Sequence, residues 1–252
     1  MQQPTLSLST QLAIENNHQW YLAILGAHGL PSRLDEHYWS SDAPAPLYYS
    51  QLVTRTRGEV AVRAQLPRIA ELSRLFRGRG WGIKDSYDCL GDGLLSSLGL
   101  RRLFGARWYA WAAGAAAGLE PDTGLELRPV RTAAELLDWE TRWRVTSPAA
   151  EARIFPEPVL ASASLQLFSV RGEGRMLGGF ALNSSPGAVG LSNVFHTGGE
   201  PAAGFVRACA RWARHLQPQL AVVGYGPASE LANLAPLGFV DLGPLSVWVS
   251  TR

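Results

Sequence analysis

Lysine is almost missing from this chain: Lys84 is the sole one in 252 residues, against 22 arginines. A GC-rich genome accounts for that bias, and a lysine-based mechanism has one candidate only. Cysteine is equally scarce. Cys89 and Cys209 lie far apart and outside any CxxC spacing, which excludes a disulfide framework and a cysteine zinc site, and a reducing cytoplasm becomes the expected compartment. No apolar run approaches the roughly 18 residues of a membrane span. The longest bland stretch, Trp108 to Leu119, is short and rich in Ala and Gly. The opening residues, Met1-Gln-Gln-Pro-Thr5, have no basic start and no apolar h-region, so no secretory signal is expected. Charge of one sign is lacking too. Divided at Thr123, the halves carry 12 basic against 11 acidic and 11 against 10 residues, so neither is a polycation and nucleic-acid binding is not expected. No His/Asp/Glu cluster has metal spacing, and no Gly-x-Ser-x-Gly elbow, P-loop or dinucleotide fingerprint occurs.

What is present is a globular composition, 46% hydrophobic and 17% charged, in a length that suits one large domain or two small ones. Nine Trp and seven Tyr are scattered among elements, as core or cleft lining rather than a base-stacking platform. A loop or linker is expected at Gly118-Leu-Glu-Pro-Asp-Thr-Gly124, dividing the chain into residues 1–118 and 124–252. Beyond it, Leu125–Arg131 alternates as a half-buried strand does. Thr132-Ala-Ala-Glu135 is a capping box, followed by Leu136, Trp139 and Trp143 at helical spacing. Leu165–Arg171, Met176–Asn183 and Val189–Phe195 read as a three-strand meander. Ala202–Gln217 reads as an amphipathic helix with Phe205, Cys209, Trp212 and Leu216 inward and Arg207, Arg211 and Arg214 outward. Leu220–Val223 is a short strand. Ser229–Leu237 is a helix that Pro236 shortens or distorts and Gly238 caps. Phe239–Ser250 supplies a final strand or pair. In the first half, Asn16–His28 reads as a helix, Leu47–Thr54 as a strand, and Leu66–Phe76 as a helix with Pro67 in its first turn; Val60–Ala64 is ambiguous.

This order gives an α/β (α+β) fold on a mixed sheet. It resembles the GCN5-related N-acetyltransferase (GNAT) fold, through Val189-Gly-Leu-Ser-Asn-Val-Phe195, the helix after it, Val222-Val-Gly-Tyr225, and Leu234-Ala-Pro-Leu-Gly-Phe239, which is similar to the family's "leu-gly-phe" ending. A weak repeat accompanies it. Ser86-Tyr87, Leu98-Gly-Leu100 and Leu103 match Gly224-Tyr225, Leu237-Gly-Phe239 and Leu242, at an offset of 138 residues at the Tyr and 139 at the Gly. The expectation is two GNAT-like mixed-sheet units in tandem, the first incomplete.

The resemblance implies acyl transfer from acetyl-CoA or another acyl-CoA to an amine of a small molecule or peptide. In that fold a strand splays from its parallel neighbour and its free N–H groups hold the acyl carbonyl and pantetheine, here at Asn193, Val194 and Phe195. The next helix binds the pyrophosphate at its N-terminus. The family's loop there is matched by Gly199-x-x-Ala202-x-Gly204, with Gly198 beside it, although its leading Gln/Arg is replaced by Gly199. Glu200 beside a pyrophosphate is unfavourable. Arg77-Gly-Arg-Gly80-Trp-Gly82 matches the loop literally but reads as a helix C-cap, and Arg55–Val60 is a weaker anion site. The family's Tyr acid falls on Leu234, a departure that puts acetyl transfer in doubt. The catalytic candidates are therefore His196 as base, Tyr225 as acid and Glu200 as runner-up base. Lys84-Asp85-Ser86-Tyr87-Asp88 is a polar cluster that binds a substrate amine or marks a turn. Two alternatives stand beside the enzyme: a catalytically silent GNAT-like binding or scaffold protein, and a transferase using an aminoacyl or acyl-carrier-linked donor.

Overall fold

The computed structural model describes residues 8–114, 124–145 and 153–251. Most of the expected linker, residues 118–123, lies outside the described residues. The first part of the chain runs α1 (Thr10–Ala27), β1 (Arg33–Leu34), β2 (Tyr38–Ser40), β3 (Leu52–Thr54), α2 (Glu59–Leu75), β4 (Gly82–Asp85), α3 (Asp92–Ser97) and β5 (Leu100–Trp111). The second runs β6 (Glu126–Pro129), α4 (Ala133–Val145), β7 (Leu165–Gly172), β8 (Arg175–Ser185), β9 (Ala188–His196), α5 (Ala203–Leu216), β10 (Ala221–Gly226), α6 (Ala228–Leu234) and β11 (Val240–Ser250). The eleven strands of the described residues join one mixed sheet in the order β1-β2-β3-β4-β11-β5-β10-β9-β8-β7-β6.

Local chemistry explains most boundaries. Before α4, the Glu135 carboxylate accepts the Thr132 N–H at 3.0 Å while Thr132 Oγ1 accepts the Glu135 N–H at 3.2 Å, a complete capping box. Pro236 ends α6 in a 3-10 turn, and Gly238 closes it at φ 94°. Three expectations in the first half are corrected. The strand expected over Leu47–Thr54 is only Leu52–Thr54, because the chain turns before it, with Tyr48 at φ 74°. Helix α1 begins at Thr10 rather than Asn16, because Ser9 Oγ accepts the Leu12 N–H. Helix α2 takes in the ambiguous Val60–Ala64 and leaves Pro67 inside it rather than at its start; Leu72 and Ile69, buried against β3 and β4, hold the helix past the hydrogen bond that Pro67 lacks. In α5 the inward face is Val206, Cys209, Ala210 and Ala213. Arg214, expected on the solvent face, is buried: its guanidinium lies 4.6 Å from the Trp111 ring and donates to the Trp111 and Leu220 carbonyls.

Helices cover both faces. α1 and α4 share a core with one face of β7–β9, through Trp20, Ile24, Trp139 and Phe195. α5 and α6 pack on the other face against Phe180, Val222 and Tyr109. α2 packs on that same side, over Ile83 and Trp248.

The centre of the sheet has an internal symmetry. β11 lies between β4 and β5, and β5 lies between β11 and β10. Leu103 and Leu242, 139 residues apart, are each the extra residue of a bulge in the β5–β11 ladder. Shifting each residue by that offset exchanges the ladder's pairs: Arg101↔Val249 becomes Val240↔Ala110, Phe104↔Val247 becomes Gly243↔Trp108, and Leu245↔Ala106 maps onto itself. Tyr225 pairs with Trp108 and Lys84 with Val247, so the counterpart of Tyr225 is Lys84, 141 residues earlier, and not Tyr87.

Candidate functional site

The two strands β9 and β10 are parallel but pair only at Ala188↔Ala221, Val189↔Val222 and Gly190↔Val223. Beyond Gly190 they part, for two reasons. β9 bulges, because Ser192 pairs with Ala181 and Phe195 with Gly179, leaving Asn193 and Val194 opposite Phe180 alone. Asn193 takes the left-handed conformation, φ 51°, that such an irregularity requires. β10, by contrast, stays on β5 as far as Gly226↔Arg107. A cavity of about 280 Å³ opens in the gap, lined by β9 from Gly190 to Val194 and by Val223–Tyr225, with Asn16, Asn17 and Trp20 from α1 and Glu230 from α6.

One wall of the cavity is an amide network. Asn16 Nδ2 donates to the Asn183 carbonyl at 2.9 Å, and Asn183 Nδ2 donates to the Asn16 carbonyl at 2.8 Å. This network explains Gly190. A Cβ there would sit 2.2 Å from Asn16 Oδ1 and 2.3 Å from Asn183 Oδ1, so only glycine lets α1 lie this close to the splay.

Glu230 enters from the other face, in the first helical turn of α6. Tyr109 donates its hydroxyl to the Glu230 carboxylate at 2.6 Å. Gly224 makes room for the Tyr109 ring, which a Cβ would meet at 2.6 Å. Burial raises the pKa of Glu230 against the lowering effect of the Tyr109 bond, and burial with the facing Glu230 charge pushes Tyr109 well up.

Across the sheet, Lys84 is 3% exposed. Its Nζ donates to Asn17 Oδ1 at 3.1 Å and to the Tyr225 hydroxyl at 2.9 Å, and it lies 4.1 Å from the Tyr225 ring centroid. Burial lowers the Lys84 pKa and raises that of Tyr225 to about 12. The two counterparts across the sheet's symmetry thus touch each other.

The expected site residues divide. Asn193, Val194 and Tyr225 line the cavity. Phe195 is buried beneath it, edge-on to Trp139 at 5.0 Å, with its backbone paired to Gly179. His196 does not line it. The His196 Nδ1 accepts the Gly198 N–H at 3.1 Å, its carbonyl accepts the Gly199 N–H at 3.1 Å, and its ring sits edge-on to Phe205. Histidine therefore closes the turn, and two N–H groups of the expected phosphate loop are already occupied. Glu200 is exposed in that loop. Ala202 caps α5 without any side-chain hydrogen bond, and a Cβ at Gly204 would meet open space. Glu230, Tyr109, Asn16 and Asn17 were not expected at the site. The signal for Glu230 was its spacing: it precedes Leu234 by one helical turn, on the same face of α6. Among the described residues no group of three metal-ligating side chains occurs, and no helix is long and apolar enough to cross a membrane.

No protein-family model matches the chain, and no curated protein sequence matches it significantly. Solved structures do match. A GCN5-related N-acetyltransferase from Kribbella flavida superposes with a TM-score of 0.65 at 11% identity, over 98% of this chain and 97% of that one. A GCN5-related N-acetyltransferase from Sphaerobacter thermophilus gives 0.53 at 11% identity, over 95% and 93%. A conserved protein of unknown function from Staphylococcus epidermidis gives 0.60 at 10% identity, over 88% and 94%. The fold is therefore GNAT-like, on a mixed α/β sheet.

Proposed function

We propose that the chain is an acyl-CoA-dependent N-acyltransferase that acylates an amine of a small molecule or peptide, with acetyl-CoA or a longer acyl-CoA as co-substrate. The observation that carries this reading is the splay between β9 and β10 with a half-buried carboxylate, Glu230, inside it. The residues fit such a donor. The cavity has the scale of an acyl-pantetheine end rather than of a whole nucleotide cofactor. The backbone of Asn193 and Val194, freed from β10 by the bulge, faces it. The uncapped start of α5 at Ala202–Gly204 offers N–H groups and a positive dipole end to a phosphate, with no Cβ at Gly204 in the way.

Bound acyl-CoA supplies a thioester: the acceptor nitrogen forms a C–N bond as the C–S bond breaks, and the leaving sulfur takes up one proton. An alkylammonium with a pKa near 10.4 is almost fully protonated at neutral pH, so a base must free it. In our reading Glu230 takes this role, which the sequence suggested for His196 or Glu200: the first proton of the ammonium passes through it to solvent, and the second, lost from nitrogen as the C–N bond forms, goes to the leaving sulfur. The raised pKa of Glu230 suits its task. Tyr109 holds the carboxylate in place, Tyr225 shapes the acceptor side, and His196 positions the Gly198–Gly204 loop.

We further propose that residues 1–118 and 124–252 are two GNAT-like halves that have exchanged their last strands, β5 and β11. One observation favours the rival, a silent GNAT-like binding protein: the loop N–H groups of Gly198 and Gly199 already have partners. Calorimetry with acetyl-CoA and longer acyl-CoAs, then thiol release with an amine library, separates the two. Acyl-CoA binding that Gly204→Glu abolishes, with turnover, is expected for the enzyme. Binding without turnover across the library supports the silent protein.

A further inference from the structure

A second, larger cavity of about 990 Å³ lies on the α1 side of the sheet, over the first half. It is an apolar groove. Trp81, Leu103, Phe104, Val247 and Val249 line it, with Leu47 and Tyr48 on the opposing wall. Leu47, Tyr48, Leu103 and Phe104 are all exposed, a concentration of apolar surface that marks a binding site in a water-soluble fold. Tyr48 holds φ 74°, a costly conformation for a non-glycine residue of the kind that collects at ligand sites. The groove and the splay cavity share Tyr48, Tyr49 and Tyr225 as lining, and Lys84 stands at this common wall.

Lys84 has no carboxylate partner of its own. Its partners are all neutral, an amide oxygen and the phenols of Tyr225 and Tyr21, and no ion pair to it forms among the described residues. An ammonium buried on neutral acceptors has lost hydration without gaining a counter-charge. The nearby Tyr21 and Tyr225 rings, at 5.1 Å and 4.1 Å, compensate in part. The shortfall is an anion, and the cavity beside it has room for one.

We infer that the acceptor is an apolar α-amino acid, or a compound of that kind, whose carboxylate pairs with Lys84, whose side chain lies in the groove, and whose amine points into the splay. This rests on the acyltransferase reading above and names its acceptor. An α-amine and its carboxylate are one carbon apart, and Tyr48, Tyr49 and Tyr225 line both the groove that Lys84 borders and the splay. Arg101 lines the same groove from its exposed edge and favours the approach of an anion.

The test is binding to the whole chain without acyl-CoA, so that it does not depend on turnover. Calorimetry compares phenylalanine with phenethylamine, leucine with isopentylamine, and octanoate as an anion without an amine. Phenylalanine and leucine should bind about 10–100-fold more tightly than their decarboxylated partners, the span of one charge-assisted hydrogen bond. Lys84→Met should remove that ratio while leaving the weak amine binding. Equal affinity of amino acid and amine for the wild type overturns the assignment without any variant. So does octanoate binding as tightly as phenylalanine, because the groove then reads an anion alone. Preserved discrimination in a folded Lys84→Met removes lysine from the site. Should these ligands bind as expected while no acyl-CoA is turned over, the acceptor site stands and the transferase reading fails.

Discussion

Under the proposed mechanism, Glu230 links activity to stability. Its folded-state pKa lies above the unfolded value of roughly 4.3, because burial outweighs the Tyr109 hydrogen bond. A group with a raised pKa contributes its full stabilising difference below the unfolded value and loses it as pH rises through the folded one. Ionising Glu230 in the folded chain therefore costs stability, because the Tyr109 hydrogen bond offsets its desolvation only in part. Glu230→Gln should melt at a higher temperature than wild type at pH 7–8, with the advantage gone near pH 4; melts across that range check it. The same substitution should lower kcat/KM by about 10²–10⁴, the usual span for one general base, whereas Tyr109→Phe should cost less. A variant both more stable and less active is the mark of a strained functional residue. His196→Ala should loosen the loop and raise the acyl-CoA dissociation constant without moving the pH profile of kcat. In the sequence only its spacing from Leu234 pointed to Glu230, because the family resemblance places the acid at Leu234 itself, which packs in the core. Glu230 stands one turn earlier on the same helix, a placement that residue spacing alone does not mark as functional.

Between elements, the decisive contact is α1 against β8 and β9. Asn16 bridges 167 residues of sequence to Asn183, and Gly190 is the clearance that allows it. Gly190→Ala should destabilise the fold by about 1–3 kcal/mol, as overpacking does, and a lower urea midpoint would register it. Removing the amide it strikes should relieve part of that loss, so Gly190→Ala with Asn16→Ala should fall short of additivity. The local elements here were legible where the signal was local. The capping box of Thr132 and Glu135, the β7–β9 meander and the Gly238 cap follow from residues within a few positions of one another. The docking of α1 on the distant half does not, since its Asn16, Trp20 and Ile24 specify only that one face is buried, not which surface covers it. Arg214 failed for the same reason: at helical spacing it reads as solvent-facing, and its partner carbonyls at Trp111 lie 103 residues away.

Across the whole molecule, the β5–β11 ladder is symmetric at the 139-residue offset of the weak Leu-Gly…Leu match, and within that symmetry the counterpart of Tyr225 is Lys84 rather than Tyr87. If the halves have exchanged strands, neither should fold alone. Residues 1–118 and 124–252 made as separate chains should each be insoluble or unstructured by circular dichroism, and together should form a stable heterodimer by size-exclusion chromatography. A half that folds unaided refutes the exchange. The central place of β11 also carries a cost in time. Of the eleven strands it leaves the ribosome last, yet β4 and β5 cannot pair with one another in its stead without closing the slot it needs. Throughout translation of the intervening residues, two strand edges wait open, one of them twelve residues long. Such edges recruit other chains. Nascent copies on one messenger therefore present each other with the same vacant slot, and a strand donated by a neighbour's nascent chain is the misfolding route this topology invites.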